Sequence, residues 1–332
     1  MFIDLTAPSS LALGLIRTET GTGLFGLTLK YPQTQLTAQK RGAQLTITGP
    51  RAQVAHDYAV RFLAHHQRDS QLEIAIEWAV ANGMGFGSEP MLALSTAQAL
   101  AWLNDLPIDD VSALARAIGL GSEHALAVAG FQQGGALLVG LDDGTVMRRA
   151  VIEHDDDNVW ALVLHFPHPP DDAPLTLEAD ALAALRRAAP HLSAETGRVF
   201  AEQLWPAIEQ NDLAAFAHAV MAIDELNHDA LAEAGTPSTL APEAQDVLDA
   251  MRDNGALACS QSLLGLGLWA LVKGTGASQK LRHQLRAHVG YFAGTQLAGI
   301  VDNVGARYTL KDGSLDVLGD TPIRPIRGAP QP

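Results

Sequence analysis

The order of elements in this sequence predicts an α+β fold. Three observations carry that expectation. In each half of the chain, a run of strand-like segments precedes a run of helical ones. The 332 residues suffice for about two domains at roughly 150 residues each. The polar run HDDDN at 154–158 interrupts the apolar pattern near the middle. The expected division is therefore 1–157 and 158–325, with a tail at 326–332. With 47% apolar and 18% charged residues, the chain can fill a core and is not of disordered composition.

The first 50 residues read as strands, with Leu36, Ala38, Leu45 and Ile47 alternating with polar neighbours. Residues 51–67 put Val54, Tyr58, Phe62 and His65 on one helical face. SQLEIAIEW (70–78) alternates again and predicts a strand. A glycine-rich stretch, 83–88, leads into a helix over 89–103. The acids after Pro107 predict a helix over 107–118 with a negative first turn. GGALLVG (134–140) and TVMRRAVI (145–152) read as strands around the turn Asp142–Asp143–Gly144. VWALVLHF (159–166) is apolar throughout, as a central strand is. Prolines between 167 and 174 mark a loop. From about 178 to 289 the pattern is mostly helical, broken at 235–242 and 255–261, so LLGLGLWAL (263–271) is expected as an apolar helix. YFAGTQLAGI and ARYTLKDG close the chain as strands, and GAPQP as a disordered tail.

A net charge of −15 argues against duplex nucleic acid or an anionic membrane as partner. No apolar run of about 18 residues predicts a spanning helix. The start MFIDLTAPSS lacks the basic and apolar regions of a secretory signal, so a cytoplasmic protein is expected. A single cysteine, Cys259, excludes an internal disulfide and a cysteine-cage metal site, and reads as a small buried residue. From Lys273 onward the chain is locally basic, at about +4. That stretch suits a solvated face or a small anionic ligand.

Gly21, Gly23 and Gly26 spell GxGxxG, but a strand-like segment follows where a dinucleotide site needs a helix, so a turn between strands is expected. Gly83–Met84–Gly85–Phe86–Gly87–Ser88 lies between a strand and a helix, where free amides can meet a phosphate. Ser88 suits the N-cap and Pro90 the first turn. Glu89 opposes an anion there, or simply stabilises the helix start. Ser260–Gln261–Ser262 opens a second glycine-containing stretch, with Gln261 expected to project into a cleft. The histidines lack a convincing metal-ligand spacing. His154 with the acids after it reads as a solvated turn.

Several stretches, taken in order, resemble one family. They are APSSLALGL (7–15), GTGLFGLTL (21–29), GMGFGSEPMLALSTAQAL (83–100), FQQGGALLVG (131–140), LWPAIEQNDLAAFAHAVMAIDEL (204–226), SQSLLGLGLWAL (260–271) and DNVGARY (302–308). The chain resembles the GHMP kinase superfamily and, within it, beta-ribofuranosylaminobenzene 5'-phosphate synthases of tetrahydromethanopterin biosynthesis. That resemblance implies a two-domain fold with mixed sheets covered by helices and a ligand cleft between the domains. It implies a reaction joining phosphoribosyl pyrophosphate to 4-aminobenzoate, or a related aromatic acid, with loss of CO2 and pyrophosphate. A transient Mg²⁺ would accompany the phosphate.

Residue by residue, Gly85, Gly87 and Ser88 match the phosphate loop. Ser260, Gln261, Ser262 and Gly265 match a third motif, Asn303 with Gly305 and Ala306 a C-terminal segment, and Ser122 a retained polar position. The sequence departs from the family where an Arg-x-His pair is replaced by Ser10–Leu11–Ala12. Two alternatives stay open. One is an ATP-dependent small-molecule kinase with Glu123 or His124 as base. The other is a non-catalytic ligand-binding paralogue. A homodimer is left open as well. The glycine loop and the 260–265 motif are expected to meet in space.

Overall fold

A long antiparallel hairpin starts the chain: β1 (Phe2–Thr18) pairs along its length with β2 (Gly21–Lys40). The structure is a computed structural model describing residues 2–107, 110–154, 159–167, 177–236, 240–290, 294–311 and 324–325. Gly21, Gly23 and Gly26 lie in β2 itself, just past the turn at Glu19–Thr20, and form no ligand loop.

The chain continues through β3 (Thr46–Thr48), α1 (Ala52–His65), β4 (Leu72–Trp78), α2 (Ser88–Leu103) and α3 (Val111–Ala117). A short 3₁₀ turn over 122–124 leads into α4 (Ala125–Gln133). Then come β5 (Ala136–Gly140), β6 (Val146–Ala150) and β7 (Trp160–Phe166). Helices α5 (Leu177–Ala188), α6 (Ala194–Val199), α7 (Trp205–Glu209), α8 (Leu213–Glu233) and α9 (Pro242–Asp253) follow. The chain closes with β8 (Ala258–Gln261), β9 (Leu268–Lys273), α10 (Thr275–Val289), β10 (Thr295–Ile300), β11 (Arg307–Lys311) and the short β12 (Arg324–Pro325).

Among the described residues there are two sheets. The larger runs β12-β11-β1-β2-β4-β3, with β5 on the first half of β2 and β6 on β5. Its pairs are antiparallel except β3 with β4. The smaller sheet is antiparallel, in the order β10-β7-β9-β8. β11 and β12 come from the expected 158–325 stretch, yet β11 pairs with β1 and β12 with β11, so the chain returns to the first sheet. One apolar cluster draws on both halves: Leu11 and Phe25 of the hairpin pack with Trp160, Trp269 and Phe216. Residues 155–158 and the tail from 326 lie outside the described residues.

Local signals account for most elements. Asp110 accepts from the Ala113 amide at 2.6 Å and caps α3, so this acid precedes the helix instead of sitting in its first turn. Asp212 caps α8 through the amides of Ala214 and Ala215. All seven residues of β7 are buried, matching its unbroken apolar run.

One expectation is overturned. LLGLGLWAL is not a helix: 262–267 is loop, and Leu268–Lys273 is strand β9, paired between β7 and β8. Leu268 to Val272 are all buried. A strand covered on both faces needs no alternation, and its run of apolar residues then looks like a buried helix. Gln261 correspondingly ends strand β8 and starts no helix.

Candidate functional site

The glycine loop is built on a two-residue period. Met84 and Phe86 are fully buried and anchor it to the core, with the Phe86 ring 5.0 Å from that of Phe166. Gly83, Gly85 and Gly87 between them adopt φ of 72°, 77° and 65°, which side-chain-bearing residues rarely take. At Gly87 a Cβ would also lie 2.4 Å from the Ser10 hydroxyl oxygen. The Ser10 amide donates to the Phe86 carbonyl at 3.1 Å and ties the loop to β1.

Gly87, not Ser88, is the N-cap of α2, and no side chain caps this helix. Ser88 is its first residue and is fully buried. The left-handed glycine makes the turn into the helix, so the serine hydroxyl is not needed as a cap. The first-turn amides of α2 have no partner within the helix, and such amides attract anions.

The second motif packs directly on this loop, as expected. The Ser262 hydroxyl donates to the Gly85 carbonyl at 2.8 Å. The Leu266 amide donates to Gly83 at 2.9 Å and the Gly267 amide to Met84 at 3.1 Å. Gly265 presses so closely that a Cβ there would stand 2.3 Å from the Gly85 nitrogen.

Other residues of that motif turn inward. The Gln261 amide donates to the Gly265 carbonyl at 2.8 Å and closes the 261–265 turn, so it does not project into the cavity. The buried Ser260 hydroxyl donates to Asp224 on α8 at 2.8 Å. Asn303 pairs both amide atoms with the backbone of Ile152 and does not line the cavity. These three side chains brace the scaffold. Cys259 is buried and faces the Leu248 carbonyl at 3.6 Å, and burial raises its thiol pKa, which suits packing and not a nucleophile.

A cavity of about 400 Å³ opens beside Gly87. Glu123, His124, Glu178 and Arg186 supply its charged or titratable groups, and Leu126, Leu182 and Leu264 its apolar wall. Glu123 and His124 come from the 3₁₀ turn ahead of α4, with the imidazole Nε2 4.0 Å from a Glu123 oxygen. Burial lowers the His124 pKa, against the raising effects of Glu123 and Glu89, which favours the neutral imidazole. Arg186 reaches from α5 toward the Ser122 hydroxyl, 3.5 Å away.

Glu89 does not face the cavity. Its carboxylate accepts a 2.7 Å hydrogen bond from the Tyr58 hydroxyl of α1. A different carboxylate approaches the loop: the Gly85 amide donates to Glu178 at 3.3 Å. Burial, the largest influence, pushes the Glu178 pKa up to about 7, opposed by the Gly85 amide, Arg51 and Ser88. Sequence reasoning missed Glu178 and Arg186, which lie on a helix 93 or more positions beyond Gly85. Among the described residues no three His, Cys, Asp or Glu side chains are grouped to hold a metal. No described helix is long and apolar enough to cross a membrane.

No protein-family model matches the sequence, and no curated protein matches it either. Solved structures do match. A homoserine kinase from Cytophaga hutchinsonii ATCC 33406 is 20% identical, with 93% of this chain and 97% of that one covered at a TM-score of 0.60. L. major mevalonate kinase in complex with R-mevalonate is 15% identical, with 90% and 96% covered and a TM-score of 0.66. Mevalonate diphosphate decarboxylase from Staphylococcus aureus is 16% identical, with 93% and 98% covered and a TM-score of 0.64. The chain therefore has the α+β fold of the GHMP-superfamily enzymes, over nearly its whole length.

Proposed function

We propose that this chain is a group-transfer enzyme acting on a phosphorylated small molecule. The observation that carries the reading is one cavity that joins an uncapped helix start, lined by Gly87 and Pro90, to an apolar wall and a few charged groups. The finer reading is a ribosyl-phosphate transferase similar to beta-ribofuranosylaminobenzene 5'-phosphate synthases. Its substrates would be phosphoribosyl pyrophosphate and 4-aminobenzoate or a related aromatic acid.

Such a reaction has two anionic groups to hold. The first-turn amides of α2 suit the pyrophosphate. Arg186, across the cavity, suits the sugar phosphate. A flat ring fits against Leu126, Leu182 and Leu264, where an apolar setting disfavours the ring carboxylate and assists its loss as CO2. Ser10 and Ala12, in place of the family's Arg-x-His pair, are buried and bring neither a cation nor a titratable group to the site, although Ser10 lines the cavity. In this reading Arg186 and His124 supply both from other elements. The ring carbon that bonds the ribose as pyrophosphate departs gives up CO2, and no ring proton. His124, favoured in its neutral form, suits a hydrogen bond from the ring amine, whose N–H grows acidic as the ring attacks and recovers when CO2 leaves. Mg²⁺ fits only as a companion of the ligand's phosphate, with the Glu123 carboxylate as one hard oxygen ligand. When bound it would neutralise the departing pyrophosphate.

A kinase is the second reading, favoured by the homoserine and mevalonate kinases that share the fold. ATP would then place its phosphates on the same amides, and Glu123 or His124 would take the hydroxyl proton. Turnover separates the two. CO2 and pyrophosphate released from phosphoribosyl pyrophosphate, 4-aminobenzoate and Mg²⁺ support the synthase. ADP formed from ATP and a hydroxyl acceptor supports the kinase. Failure of both nucleotide and sugar pyrophosphate to raise the melting temperature sinks both and leaves a non-catalytic binding protein.

A further inference from the structure

We propose that Glu178 is a specificity-determining residue of this site: its carboxylate holds the place on the glycine loop that an anionic ligand group must take, so an anion is admitted only when Glu178 is protonated or withdrawn. The proposal rests on the phosphate-binding reading of the loop.

Gly85 is tightly enclosed, and its amide already has a partner. On the far side, Ser262 and Gly265 close over Gly85 so tightly that an added Cβ would meet their atoms at 2.4 and 2.5 Å. On the cavity side stands Glu178, accepting the Gly85 N–H at 3.3 Å. A phosphate oxygen seeking this donor competes with a group already in the molecule.

Charge makes the competition unequal. Glu178 shares its surroundings with Glu89 of α2, whose carboxylate is held by the Tyr58 hydroxyl. One nearby cation, Arg51 at the start of α1, faces both carboxylates while donating to the Val80 carbonyl and the Asn82 side chain. Ser88 contributes a hydroxyl close to Glu178. His124 and Glu123 line the same cavity from the 3₁₀ turn, and Arg186 from Glu178's own helix. A dianion brought to the loop would be a further negative charge beside the Glu178 and Glu89 carboxylates, which Arg51 faces, with Glu123 and Arg186 further along the same cavity. Protonation of Glu178 removes one of those charges. It also turns an acceptor into an O–H donor that can bond the incoming anion. Burial already favours that proton, up to a pH of about 7.

Sulfate tests this, because its own charge is constant from pH 6 to 8. In calorimetric titrations of the full chain, sulfate affinity should fall about tenfold between pH 6 and pH 8, as expected for a group that titrates near 7. Glu178→Gln should abolish the dependence and bind at pH 8 as tightly as the unaltered chain does at pH 6. Glu178→Ala should do the same, and it serves where the Gln variant does not fold. His124→Gln should retain the full dependence. An unchanged slope in Glu178→Gln and Glu178→Ala overturns the proposal, as does its loss in His124→Gln, and in either case the phosphate reading survives. If neither sulfate nor pyrophosphate binds the unaltered chain or the Glu178→Gln variant at any pH, the phosphate reading fails and this proposal with it.

Discussion

Ser262 and Gly85 stand 177 positions apart, and the hydroxyl of the first donates to the carbonyl of the second at 2.8 Å, inside the molecule. Neither group is free for a ligand. The serine that looked like a binding residue positions the glycine loop proposed to hold phosphate.

Ser262→Ala should therefore destabilise the protein and weaken its site together. A buried carbonyl left without its donor costs roughly 1–3 kcal/mol. The Leu266 and Gly267 amides continue to hold the loop, so the fold should survive. Melting curves and pyrophosphate titrations on the same preparations check this. Unchanged stability with lost binding would return Ser262 to the ligand's side.

Trp269→Ala and Gln261→Ala should separate core from turn. Trp269 lies on β9 in the cluster shared by the hairpin and the second sheet. Truncating a buried aromatic costs about 3–5 kcal/mol. Gln261 closes a turn through one hydrogen bond, worth about 0.5–1.5 kcal/mol net. Denaturant midpoints rank the two. Equal losses would mean that the 261–265 turn carries as much of the core as β9 does.

Arg186→Met should lower affinity for a phosphorylated ligand while leaving the melting temperature nearly unchanged. The methionine keeps the apolar stem against the cavity wall and removes the charge. A hydrogen bond to a charged group is worth about 1.5–3 kcal/mol, or roughly ten- to a hundredfold in affinity. Titration with phosphoribosyl pyrophosphate at fixed Mg²⁺ reads it. Unaltered affinity would remove Arg186 from the ligand's path.

How far the sequence could be read follows from where each signal lies. The glycine loop was legible because its period, Gly–Met–Gly–Phe–Gly, is local. Its cap was misread because Ser88 follows a left-handed glycine, and the glycine already makes the turn. Strand β9 was misread because an apolar run covered on both faces carries no period. Asn303 looked like a binding residue until its partner, the backbone of Ile152, came into view. Glu178 was invisible for a deeper reason. A lone glutamate in the first turn of a helix is ordinary, and only tertiary packing brings it to Gly85.

Glu178 should also write itself into the pH dependence of folding. A carboxyl in the unfolded chain loses its proton near the ordinary 4.5, whereas the folded protein holds this one to about 7. The folded state is thus favoured by the retained proton below about 4.5, and that contribution is lost as pH rises through 7. At about 1.4 kcal/mol per tenfold change in acidity constant, the full loss is roughly 3 kcal/mol. Glu178→Gln resembles the protonated form at every pH. Its stability relative to the unaltered chain should therefore be near zero at pH 4.5 and should grow in its favour toward pH 8. Asp224, whose pKa is also raised by burial, and His124, whose pKa is lowered, titrate in both proteins and cancel in the difference. Urea unfolding of both chains at pH 4.5, 6 and 8 measures it. A difference that stays constant across that range would show that Glu178 does not retain its proton in the folded state.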